Sequence, residues 1–268
     1  MNTNMTDDHT LDPAQLLKWY VECGVDETIA EEPINWFNES NKSPTNQVVS
    51  KNNTAVRHIN QAAPLASTKD VIEQAEKNAA ACDNLDALNK AILAFEGCSL
   101  KKTASNTVFS DGNAESNIML IGEAPDADED RIGKPFVGEV GKLFDRMFSA
   151  IGMSRENDFY ITNILPWRPP GNRKATDAEC DMCLPFLRRH IELVDPDMIV
   201  LIGGTSASRI LNSKTGITKL RGKWNDYKIG EKSIPVIAIF HPAYLLAQPQ
   251  FKKQAWHDLQ SIKAKIET

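Results

Sequence analysis

From residue 117 onward the chain alternates short apolar runs with longer amphipathic stretches. Four runs, 118–121, 159–165, 198–202 and 236–240, are almost continuously apolar, and each is bounded by turn-forming residues. Each is followed by a stretch of helical periodicity, roughly 139–151, 177–193, 205–212 and 251–266. Strands that lack polar alternation are buried on both faces, and their alternation with helices is the pattern of a parallel sheet. The expected fold is therefore α/β, a three-layer αβα arrangement around a central, mostly parallel four-stranded sheet.

Upstream the pattern changes. Residues 68–81 and 83–95 read as helices, the second with Leu85, Leu88, Ile92, Leu93 and Phe95 on one face. Residues 38–67 are rich in Asn, Ser, Thr and Gln, with few large apolar side chains. Such a segment cannot bury enough surface to offset its ordering entropy, so a flexible linker is expected. Before it, Pro13 and the cluster Leu16, Leu17, Trp19, Tyr20 and Val21 suggest a short helix over 11–22. This divides the chain into an N-terminal acidic segment (1–37), a linker (38–67) and one folded domain (68–268).

Charge sharpens this division. The net charge is −6. Residues 1–81 hold 6 Lys and Arg against 12 Asp and Glu, and the remainder holds 24 of each. A neutral domain still binds a polyanion if its cations share a face. Local basic runs exist at Lys101-Lys102, Arg173-Lys174, Arg188-Arg189 and Lys252-Lys253, though a solvated mixed-charge surface explains them equally well. No apolar run approaches the roughly 18 residues that span a bilayer. The first ten residues lack the basic and apolar regions of an export signal. A cytoplasmic, monomeric protein with reduced thiols is expected, without membrane contact.

Candidate chemistry lies at the strand ends, because open α/β sheets bind ligands beyond the carboxyl ends of their strands. The first run ends in Gly122-Glu123-Ala124-Pro125. The second contains Thr162-Asn163 and leads to Arg168 and Arg173 in an RPPGNR segment. The third ends in Gly203-Gly204-Thr205-Ser206, and the fourth in His241-Pro242-Ala243-Tyr244. In a parallel sheet Glu123, Asn163, Gly203 and His241 share one rim. A carboxylate orients water, an amide reads an edge carrying both a donor and an acceptor, and an imidazole stabilises charge on a leaving group. No lysine ends a strand, and neither a G-x-S-x-G elbow nor a G-x-x-x-x-G-K-[ST] loop occurs.

Three stretches carry a resemblance: GEAPDADEDRIGKPFVGEVGKLFDRM, YITNILPWRPPGNR and HPAYLL. In this order, each at a strand end, they resemble the type-4 uracil-DNA glycosylases of the uracil-DNA glycosylase superfamily, over about residues 90–266. The resemblance implies hydrolysis of the N-glycosidic bond of uracil in DNA by base flipping, with uracil-containing DNA as the partner. It implies that Glu123 positions the water or the sugar and that the Gly122 and Glu123 backbone holds the base. Phe136 would stack on the base, Asn163 would bond its edge, and Glu129 would crowd the 5-carbon and reject thymine. His241 would contact the developing oxyanion. Tyr244, Leu245 and Leu246 would probe the duplex, and Arg168, Arg173, Gly204, Thr205 and Ser206 would contact phosphates. The plainer alternatives are Phe136 as core, the leading one for that residue, Asn163 as a turn-capping amide and Thr205-Ser206 as helix caps. Two other functions stay open: action on a different deaminated base, and nucleic-acid binding without catalysis.

The family's four cysteines hold a [4Fe-4S] cluster, and here the match is broken. Phe95 and Trp167 stand at two of the four positions, leaving Cys98 and Cys183. Ordinary cluster ligation takes four thiolates, so no cluster and no metal are expected. Asp126 replaces a usual glycine of the first motif, and Ala247 replaces the arginine that usually follows HPAYLL.

Overall fold

The computed structural model describes residues 67–268. The expectations for residues 1–66 (the acidic segment, its short helix and nearly all of the linker) lie outside the described residues. Ser67 begins the described region as the cap of helix α1 (Thr68–Ala80), its hydroxyl accepting from Asp70 N–H. Helix α2 (Leu85–Ala94) follows, capped by Asn84. Leu88 and Ile92 face inward, as their spacing requires, and Phe95 just beyond the helix is buried too. Leu93 departs from the expected face: it is 49 % exposed, because it lies about 100° around the helix from Ile92.

Among the described residues the sheet has six strands, not four, in the order β1-β3-β2-β4-β6-β5. The four expected runs form its parallel centre: β2 (Ile118–Gly122), β3 (Tyr160–Asn163), β4 (Met198–Ile202) and β6 (Lys232–Ile239). Two antiparallel edges are added, β1 (Asp111–Gly112) on β3 and β5 (Trp224–Ile229) on β6. The edges escaped the apolar criterion for physical reasons. One is two residues long, and the other mixes exposed and half-buried positions, as a strand with one neighbour does.

The connections after β2 are α3 (Ala127–Ile132) and α4 (Gly138–Ser149), and β3 leads to α5 (Asp177–Val194). The connections after β4 are α6 (Gly204–Ile210) and α7 (Ile217–Leu220), and α8 (Pro242–Ala247) and α9 (Lys252–Ile266) close the chain. The core has two halves, one on each face of the sheet. Met119, Ile121, Ile199, Leu201, Val236 and Ala238 pack beneath residues of α1, α2 and α5. Their sequence neighbours Leu120, Val200, Ile202, Ile237 and Ile239 pack against Phe144 and Phe148 of α4 and Leu259 and Ile262 of α9. This alternation gives the three-layer αβα architecture expected.

Candidate active site

The strand ends line up as the topology demands. Gly122 pairs with Asn163 across β2 and β3, and Ile202 pairs with Ile239 across β4 and β6. Gly203 N–H donates to Ile239 O at 3.0 Å, which brings the β4 exit beside the β6 exit. Gly203 has φ +98°, a turn that favours glycine, and a Cβ there would stand 3.4 Å from the Cβ of His241. Gly122 is tighter. A Cβ there would lie 2.1 Å from Asn163 Oδ1 and 2.8 Å from Phe136 Cζ. The Phe136 ring is in turn 5.6 Å from the His241 ring, centroid to centroid. Gly122, Phe136, Asn163, Gly203 and His241 therefore form one constellation, assembled from five separate segments of chain.

Asn163 is 6 % exposed, and its Nδ2 is a buried donor with no hydrogen-bond partner. Buried polar groups are paired in the great majority of cases, so an orphaned amide calls for an explanation. His241 caps α8, and its Nδ1 accepts from Ala243 N–H at 3.2 Å. That bond assigns the proton of the neutral ring to Nε2. Burial lowers the His241 pKa to about 4, against the opposing pull of the Asp126 carboxylate, so the ring is a neutral donor at pH 7.

Glu129 has a different place from the one expected. Both of its oxygens are taken by backbone: Oε2 accepts from Asp126 N–H at 2.6 Å, and Oε1 accepts a short bond from Phe136 N–H. With Asp126 it forms the capping box of α3, and burial pushes its carboxyl up to about 7. It braces the Phe136 loop from beneath instead of presenting a free carboxyl to a ligand. Glu123 follows Gly122 on the rim, half-buried, and its carbonyl accepts from Leu165 N–H at 3.0 Å. No hydrogen bond ties its carboxylate to Asn163 or His241 among the described residues. Its charge acts instead on Cys180, whose thiol is raised to about 11, chiefly by burial.

The expected phosphate and duplex contacts divide in two. Tyr244 and Leu246 are exposed on α8, as a probing segment requires. Leu245 is not: it is 1 % exposed and packs in the core, because HPAYLL is a helical turn with an inward face and not an open loop. Gly204 is exposed, but Thr205 and Ser206 are buried, and Ser206 Oγ donates to Gly203 O at 3.1 Å. Both side chains are packed inward, and the Ser206 hydroxyl is committed to backbone. Arg173 is exposed yet grips Glu179 through two bonds of 2.9 and 2.6 Å, while Arg168 Nε holds Asn172 Oδ1 at 2.6 Å.

The residues at the family's cluster positions do not fit a [4Fe-4S] group. Phe95, Cys98, Trp167 and Cys183 all lie in one buried cluster. Phe95 packs edge-on against Phe186 at 5.1 Å, and Trp167 Nε1–H donates to Thr107 Oγ1 at 2.9 Å. Cys98 and Cys183 act on each other: Cys183 lowers the Cys98 thiol, and Cys98 together with burial raises that of Cys183. Two thiols between two packed aromatics offer half of the four ligands such a cluster needs.

Comparison with known proteins places the α/β fold in a family. The family model of the uracil DNA glycosylase superfamily matches residues 109–260. A type-4 uracil-DNA glycosylase from Archaeoglobus fulgidus is 40% identical over 184 residues, covering 67% of this chain and 92% of that protein. Another from Thermotoga maritima is 35% identical over 185 residues, covering 68% of this chain and 94% of that protein. A DNA polymerase from Bacillus phage SP01 is 30% identical over 168 residues, 63% of this chain but 18% of its own length. The chain belongs to the uracil DNA glycosylase superfamily and, within it, to the type-4 uracil-DNA glycosylase family.

Proposed function

We propose that the protein hydrolyses the N-glycosidic bond of deoxyuridine in DNA, releasing uracil and leaving an abasic site. The observation that carries this reading is the unpartnered buried amide of Asn163, set beside an aromatic ring and a neutral imidazole. A base inside the duplex is out of reach, so it is extruded into the site, and stacking on Phe136 offsets part of the cost. Asn163 Nδ2 donates to uracil O4, and its Oδ1 accepts from N3–H. Cytosine presents the opposite pattern and leaves both groups unpaired, which discriminates strongly.

As the C1′–N1 bond breaks, its electron pair passes to the base and positive charge grows on the sugar. His241 Nε2–H donates to O2, where that negative charge collects, and a neutral donor does this without holding the product as an ion pair. The oxygen of a water molecule bonds to C1′ and its proton is lost to solvent or the departing base. Glu123, on the rim beside Gly122, orients that water or steadies the sugar. Tyr244 and Leu246 fill the gap left in the duplex. None of these steps calls on a cluster, and we infer that this chain works without one.

The test is a labelled oligonucleotide containing one uracil, incubated with the protein and then cleaved at abasic sites with alkali. Strand cleavage at the uracil position is expected, with no cleavage of a cytosine control. Tight binding without cleavage overturns the reading in favour of a non-catalytic module. Iron and sulfide analysis of the same preparation is expected to give neither in stoichiometric amount, and stoichiometric iron with visible absorption overturns the cluster-free inference.

A further inference from the structure

Phe136 has φ +52°, a left-handed backbone that a bulky side chain rarely adopts. Such a conformation is strained and persists only where the surroundings over-determine it. Here three hydrogen bonds from two side chains do so. Glu129 takes the Phe136 N–H, Arg155 Nη2 donates to Phe136 O at 2.7 Å, and Arg155 Nη1 donates to Pro135 O at 2.9 Å. A Cβ on Gly141 would stand 2.0 Å from the same Phe136 O, so only glycine leaves the loop room to sit there. The Phe136 ring is itself 1 % exposed and packs on Phe144 within the core of this face, so this backbone clamp and the core packing together set where the ring stands.

We propose that Arg155 is a positioning residue for excision: its guanidinium fixes the Phe136 backbone, and through it the ring against which the extruded base stacks. The role rests on the glycosylase reading above. Arg155 comes from the loop between α4 and β3, and its side chain is 13 % exposed. Besides the two carbonyls it reaches Asp111 on the edge strand at 2.9 Å through Nη1. It also reaches Asp145 on α4 at 2.9 Å through Nη2 and at 3.1 Å through Nε. All three of its nitrogens are committed, and the fixed fork of an arginine makes this possible where an ammonium could not. Its guanidinium carbon is 5.4 Å from the centroid of Phe144, the ring on which Phe136 stacks at 4.6 Å. Arg155 thus holds both the backbone of the stacking ring and the ring beneath it. Without the clamp the Phe136 backbone is free to leave its left-handed conformation, and the ring swings away from Gly122 and His241.

The role is tested with Arg155→Lys and Arg155→Ala, assayed for uracil excision at a temperature where melting curves show each folded. A ring displaced by about 1 Å costs up to about a hundredfold in rate. In Arg155→Lys, kcat is expected to fall by about tenfold or more while KM for DNA stays within about threefold, since the duplex contacts lie elsewhere. Arg155→Ala is expected to fall further, and inhibition by free uracil is expected to weaken in both. If the alanine variant does not fold, Gly141→Ala presses on the same carbonyl and is expected to give the same split of kcat from KM. A wild-type protein that leaves the uracil strand intact sinks the glycosylase reading and this role with it. A wild-type protein that cuts, beside folded Arg155→Lys and Gly141→Ala variants that cut equally fast, sinks the role of Arg155 alone.

Discussion

Replacing Asn163 by alanine separates what this side chain does for folding from what it does for substrate. Its Nδ2 is buried and unpaired in the DNA-free protein. Leaving a buried donor unsatisfied costs about 1–3 kcal/mol, so deleting it returns that amount. Against this, a carboxamide-sized void of roughly 30 Å³ costs about 0.7 kcal/mol at about 24 cal/mol per Å³. The variant is therefore expected to be between unchanged and about 2 kcal/mol more stable, a rise of up to about 6 °C in melting temperature for a domain of this size. Catalysis moves the other way. Two unmade bonds to the uracil edge, at about 1–3 kcal/mol each, slow excision by about 30-fold to 10⁴-fold. A third measurement ties the two together. Free uracil at 100 times its Kd stabilises the wild-type protein by about 2.7 kcal/mol, and the same concentration stabilises the variant by less than about 1 kcal/mol. Thermal melts with and without uracil, beside a single-turnover excision assay, supply all three numbers. A variant that loses several degrees and keeps its excision rate refutes the argument, because the amide would then serve the fold and not the base.

Three further outcomes follow from the titration and packing of other residues. His241→Ala is expected to slow base release while DNA binding, measured by gel shift, stays intact. In the wild type the excision rate should drop as pH falls through about 4, where a second proton occupies the Nδ1 that accepts from Ala243 N–H, a step separate from any change near 7, where Glu129 titrates. His190 is buried against Tyr160 OH at 2.9 Å, and burial lowers its pKa to about 3. The unfolded chain protonates this ring near its ordinary 6.5, so between those values the unfolded state binds more protons and stability rises with pH. Acidification across that window is expected to remove up to about 5 kcal/mol through His190, and the slope in urea titrations should shrink in His190→Gln. Trp167→Ala is expected to cost about 3–5 kcal/mol without changing iron content, because the ring fills volume and binds Thr107.

How far the sequence reveals this protein depends on whether a residue's surroundings are local. The four central strands are legible because burial on both faces writes them as unbroken apolar runs. The edges β1 and β5 are not, since an edge keeps polar residues toward solvent. Helix α3 carries a readable signal, Asp126 three residues before Glu129, the two ends of a capping box. That signal points to a backbone role for Glu129, which the family resemblance alone does not. HPAYLL shows the reverse error. Pro242 at the first helical position after a capping His241 marks a helix, and a helix must turn one of Tyr244, Leu245 and Leu246 inward.

Arg155 lies beyond any such reading. Nothing in Gly152-Met153-Ser154-Arg155 distinguishes a surface arginine from a clamp, because its partners Asp111, Pro135, Phe136 and Asp145 are between 10 and 44 residues away along the chain. The same distinction separates the two kinds of site residue. Gly122, Asn163 and His241 end buried parallel strands, so topology alone brings them to one rim, and their convergence is predictable from the order of the runs. Phe136 ends no strand. It reaches the site through a left-handed turn that Glu129, Gly141 and Arg155 hold in place, and such a turn exists only in the assembled fold. Substitutions at the strand ends should therefore act on chemistry directly. Substitutions around Phe136 should act on geometry first and reach the rate through it.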